Sequence, residues 1–120
     1  MIDEIKVPLA YAVVTWVPSS AGGRTAGPPT VPVYAATVVF IHGNDAEIQP
    51  EWPLGADQLS ILVQKTTEYP GGAWLCKIDF LARELAMPMM RPGVALLVME
   101  GPKVVGTAII TAVAEHEESS

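Results

Sequence analysis

Cysteine occurs once in this chain, at Cys76, so no intramolecular disulfide can brace the fold. Basic residues are also scarce, 7 against 13 acidic ones, and the formal charge of −6 opposes nonspecific attraction to phosphate backbones. Half of the residues are hydrophobic, yet no run of 18 apolar residues occurs, which excludes a bilayer-crossing helix. The opening "MIDEIK" lacks the basic flank and following apolar stretch of a secretory signal, and a cytoplasmic setting is the expectation. No GxxxxGK[ST] is present, so a phosphate-cradling loop is missing. Histidine appears only at His42 and His116. His42, Asp45 and Glu47 share a single loop, which reads as solvated because a metal site needs three or four ligands on a rigid frame. Acidic residues are scattered over turns and the C-terminus, where they cannot pair in one cleft for acid–base work. No cofactor, no metal and no catalysis are expected.

What the chain does have is strand pattern. With 120 residues it is the size of one domain and buries roughly two-thirds of its unfolded surface without needing a staple. Residues 8–17, "PLAYAVVTWV", place Ala10, Ala12, Val14 and Trp16 on one face by alternation. Residues 33–41, 58–64, 73–81, 94–100 and 103–113 read the same way. The clearest period of two lies in "AWLCKIDFL", where Trp74, Cys76, Ile78 and Phe80 point to one side. Burial on that apolar side would keep the Cys76 thiol inert. Between these strands lie Gly- and Pro-rich connections, a helical turn in "ARELAMPMM" broken by Pro88, and Gly106. A glycine inside a strand signals a bulge, a barrel corner or a close backbone approach. A six-stranded antiparallel all-β barrel is favoured over an open sheet because closure leaves fewer unpaired edges. It should occupy residues 1–114, and "EHEESS" at 115–120 should be an acidic, solvated tail. Without the tail's three glutamates the body carries −3.

The strand followed by "AGGRTAGPP", and the distal "VALLVMEGPKVVGTAIITAV", together resemble the C-terminal β-barrel domain of elongation factor Tu, in a Greek-key-type barrel. Gly22, Gly23 and Arg24 match that family's Gly-Gly-Arg loop, and Glu100, Gly101, Val105 and Gly106 match its closing hairpin, with Lys103 keeping the charge of the family's arginine. Met99, Pro102 and Val104 depart from the pattern, Thr25 replaces a histidine, and "TVPVYAATVVF" replaces the family's signature before the second strand. The resemblance implies a non-catalytic domain whose relatives touch tRNA backbone and protein partners, and it implies that the 22–24 loop and the 100–103 turn lie side by side. Without a phosphate loop the chain cannot be an elongation factor itself.

Both segments also have local explanations. Glycine and proline shape the 100–103 turn, with Glu100 and Lys103 polar where a hairpin meets water. Gly22, Gly23 and the prolines shape the long loop, leaving Arg24 solvated. Yet a loop of this length inside a compact domain is uncommon without a function. Its amides and single guanidinium could hold an anion. The partner-binding set is therefore Gly22, Gly23, Arg24, Glu100, Gly101 and Lys103, with a protein partner ahead of translation-related RNA and no membrane. Alanine at Arg24 and Lys103 should weaken binding with little effect on melting. Trp52 and Tyr69, in "EWP" and "EYP", are assigned to capping the open barrel end. The alternative is a structural homo-oligomer, in which the outward apolar side of 94–100 packs on another copy.

Overall fold

The computed structural model describes residues 4–41 and 58–114. Six strands form one closed, wholly antiparallel barrel: β1 (Ala10–Trp16), β2 (Tyr34–Phe40), β3 (Leu59–Glu68), β4 (Trp74–Phe80), β5 (Ala95–Glu100) and β6 (Lys103–Val113). Around the barrel they run β1-β4-β3-β2-β5-β6. Reading β1-β4-β3-β2, three consecutive strands pair in sequence and β1 returns beside β4; β5 returns beside β2 in the same manner. The barrel thus holds two overlapping Greek keys.

Alternation sets the core as the sequence predicts. Ala10, Ala12 and Val14 of β1, Val38 of β2, Ile61 and Val63 of β3, and Cys76, Ile78 and Phe80 of β4 are buried together. Phe40 and Phe80 stack with ring centroids 6.1 Å apart. The short helix α1 (Arg83–Ala86) and the 3-10 turn Met87–Met89 occupy the segment where Pro88 permits only helical turns, and they seat Ala86 and Met90 in the core.

The ladder is interrupted three times. Register shifts insert an extra residue, Thr66 in β3 and Thr111 and Val105 in β6. The Thr66 and Thr111 hydroxyls donate to Leu75 O at 3.0 Å and Tyr11 O at 3.3 Å. The first bulge explains why β3 runs to Glu68 and not to residue 64: Thr67 and Glu68 still pair, with Leu75 and Trp74. Beside the third, a Cβ on Gly106 would lie 3.0 Å from Thr15 O and 3.1 Å from the Trp16 ring, so a close approach is what the glycine serves.

On the outward side of β5, Met99 is 0% exposed and Val39 beside it on β2 is 1% exposed, whereas Ala95 and Leu97 are half-buried.

The registers also assign the connections to two ends. The 17–33 segment, the 69–73 turn and the 100–103 turn share one end; Ile5–Leu9, α1 and residues 87–94 share the other. Residues 115–120 and the 42–57 segment, with His42, Asp45, Glu47 and Trp52, lie outside the described residues, as does His116.

Candidate binding surface at one barrel end

Residues 17–33 are folded back tightly at their start. Val17 N–H donates to Val105 O of β6 at 2.9 Å, and a 3-10 turn over Ser19–Ala21 follows. Gly22 ends it with φ +95°, a conformation that side chains disfavour, and Gly23 N–H donates to Pro18 O at 2.9 Å. A Cβ on Gly23 would sit 1.8 Å from Val17 O. The close approach that Gly23 permits is therefore to its own chain, and its consequence is to aim Arg24 at the barrel rim.

Arg24 Nε donates to Glu100 Oε2 at 2.6 Å, across 76 positions of sequence. Its Nη1 donates to Gly27 O at 2.5 Å, closing a local turn in which Gly27 N–H returns a bond to Arg24 O at 3.0 Å. The guanidinium lies over the Tyr34 ring, 5.3 Å from its centroid, and the Tyr34 hydroxyl donates to the same Glu100 oxygen. Glu100 is held at the end of β5 by the two-residue turn to Lys103, where Gly101 takes φ +59° and Pro102 follows. Positive φ at the first central residue is the pattern of a II′ hairpin turn.

The electrostatics follow from this geometry. The Tyr34 hydrogen bond is the largest cause holding the Glu100 carboxyl below its ordinary pKa, joined by the Arg24 hydrogen bond and charge and by the charge of Lys103. Burial and the bond to Glu100 push the Tyr34 hydroxyl well above the usual range for a phenol. Both groups keep one protonation state near neutrality, so neither is poised to exchange protons.

Beneath this cluster the barrel end is filled by aromatic side chains. Trp16 meets Tyr34 and Trp74 edge-on, with centroids 5.6 and 5.1 Å apart. Lys65 Nζ sits 4.7 Å from the Trp74 ring centroid and 3.3 Å from Glu68 Oε1. Tyr69, by contrast, is 40% exposed on its turn, so the capping assigned to it falls to Trp16, Tyr34 and Trp74. Sequence alternation places all three inward, and their positions at strand ends could have identified them as the plug.

The structure thus brings Arg24 and Glu100 into contact, with Lys103 near enough to act on Glu100 by charge. Gly22 and Gly101 lie exposed on the two segments, and Gly23 is buried. Sequence reasoning missed Tyr34. It also read Arg24 either as solvated or as a binding group, whereas the bonds to Glu100 and Gly27 give it a structural role. Cys76 is fully buried, and desolvation pushes its thiol up to about 12. Among the described residues no three His, Cys, Asp or Glu side chains form a metal-binding group, and no helix is long and apolar enough to cross a membrane. The chain matches no protein-family model and no curated protein.

Proposed function

We propose that the protein is a non-catalytic binding module, a β-barrel similar to the C-terminal domain of elongation factor Tu, which offers the 17–33 connection and the 100–103 turn as one surface to a protein partner. The observation that carries this reading is the 2.6 Å bond from Arg24 to Glu100, which pins a Gly/Pro-rich segment against a hairpin 76 residues away. Holding such a segment in one conformation before contact lowers the ordering cost of association. Ser20, Thr25, Val31, Gly101 and Pro102 are exposed on these segments, a neutral surface suited to hydrogen bonding and apolar contact. Arg24, the guanidinium that would attract a phosphate, is already neutralised by Glu100, and the chain's −6 charge adds to the case for protein over RNA.

The test is a photo-crosslinkable residue at Val31, compared with one at Leu81 on the opposite end, both exposed. In cell extract, a discrete protein adduct at Val31 that is absent at Leu81 and survives nuclease is the expected result. Nuclease-sensitive capture would replace the protein by RNA. No adduct at Val31 would reject the reading.

Self-association is the second reading, favoured by a specific observation at the other end. Val7, Leu81 and Leu85 are 62%, 68% and 58% exposed, and Arg83, between the two leucines, donates to Val7 O at 3.2 Å. Light scattering that finds a strict monomer at high concentration removes it.

A further inference from the structure

The end of the barrel away from the Arg24–Glu100 contact holds a half-open pocket of about 400 Å³, bordered by the end of β2, the 3-10 turn and the lead into β5. Its hydrocarbon and thioether walls come from Phe40, Met89, Val94 and Ala95, and among the described residues Arg91 is the one charged side chain lining it. The geometry points to a ligand site here for a small monocarboxylate with an apolar body, such as a medium-chain acyl or aryl carboxylate. This assignment is independent of the surface at the opposite end.

Three features support it. The walls are anchored: Ile41 N–H donates to Ala95 O at 3.0 Å, Gly93 N–H to Ile110 O at 2.7 Å, and Ile110 N–H to Val94 O at 2.9 Å. These bonds hold the backbone on two sides of the pocket, and its volume falls in the lower range of small-molecule sites, enough for roughly ten non-hydrogen atoms. Met89 adds a flexible, polarisable wall that adapts to ligand shape.

The third feature is the state of Arg91. It is exposed, and among the described residues it forms no ion pair; Nη1 reaches only Pro88 O, at 3.5 Å, the outer limit of a hydrogen bond. Its remaining donors can therefore take a carboxylate in the two-pronged geometry that matches a guanidinium. A phosphate dianion would call for more than one cation, and a neutral alkane would leave the guanidinium unused. The net charge of −6 repels anions in general, so saturable carboxylate binding at this position would report the cavity and not a diffuse attraction.

Titration of isotope-labelled protein with octanoate, followed by amide and methyl NMR, tests the assignment, with 1-octanol and octylamine as matched ligands. Octanoate should produce saturable shifts centred on Met89, Val94 and Ala95, with a dissociation constant on the order of 0.1–1 mM. It should bind about tenfold more tightly than either matched ligand, and Arg91→Gln should weaken it by about tenfold. Shifts that fail to saturate, shifts centred elsewhere, equal binding of 1-octanol, or unchanged binding by the Arg91→Gln protein would each overturn it. The ligand comparison uses the unaltered chain, so the site stands or falls on octanoate against 1-octanol even where the variant does not fold.

Discussion

Glu100→Gln is the substitution that most directly loads the contact between the two distant segments. Glutamine preserves shape and one acceptor oxygen while removing the charge that Arg24 and Tyr34 both address. The ion pair is partly solvated, with side chains 25% and 37% exposed, so its own share is at the level of surface pairs, about 0.5–1 kcal/mol. Tyr34 is only 7% exposed, and weakening the acceptor of its hydroxyl adds about 0.5–1 kcal/mol. A total near 1–2 kcal/mol corresponds to a fall in Tm of roughly 4–8 °C for a domain of this size. Urea or thermal unfolding at neutral pH measures it, and a double-mutant cycle with Arg24→Gln should return a coupling of about 0.5–1 kcal/mol. The pH dependence has a definite sign. Because the folded pKa of Glu100 is depressed, its contribution is present above the unfolded glutamate value, about 4.3, and is lost as pH falls through the folded value. The gap between wild type and Glu100→Gln should therefore be full at pH 6 and shrink on acidification. Identical melts at neutral pH, or a gap that ignores acid, would refute the reasoning.

Three further outcomes are expected. Gly23→Ala should destabilise the protein by more than about 3 kcal/mol, because its new methyl would overlap the Val17 carbonyl and force backbone to move, whereas Gly22→Ala meets no atom within 4 Å and carries only the strain of positive φ, about 1–2 kcal/mol; equal effects by denaturant melts would contradict this. Gly106→Ala should cost about 1–2 kcal/mol by pressing Thr15 O and the Trp16 ring, and should change tryptophan fluorescence, since Trp16 packs on Trp74. Cys76 should ignore a thiol reagent in the native protein at pH 8 and react fully in denaturant, as a fully buried thiol shifted to about 12 requires; stoichiometric native labelling would mean that the barrel opens at β4.

Much of the barrel was legible because period-two burial is a local signal. Trp74, Cys76, Ile78 and Phe80 alternate with Leu75, Lys77 and Asp79, and each side chain falls where that alternation puts it. The glycine within β6 announced an irregularity, and the Pro88 break announced short helical turns. Bulges were less visible: Thr66 and Thr111 are ordinary β-branched residues, and only pairing with a neighbour reveals that one of them is extra. Placement of Arg24 beside Glu100 was implied by resemblance, and no spacing argument supplies a contact over 76 positions. Tyr34 escaped notice for a different reason. On β2 its inward position reads as core, and its hydroxyl acquires meaning only once the end of β5 arrives beside it. The pocket beside Arg91 is illegible in the same sense, since its walls come from two distant stretches of chain, 40–41 and 88–95.

The central claim is that the 17–33 segment is held in one conformation against the closing hairpin through Glu100. Amide hydrogen exchange tests it most directly, because Gly23 and Gly27 donate within that segment, to Pro18 O at 2.9 Å and to Arg24 O at 3.0 Å. These two amides should be protected in the wild-type protein and exchange much faster in Glu100→Gln, while Ile78 and Val14 in the barrel keep their protection. Equal exchange at Gly23 and Gly27 in both proteins would contradict it.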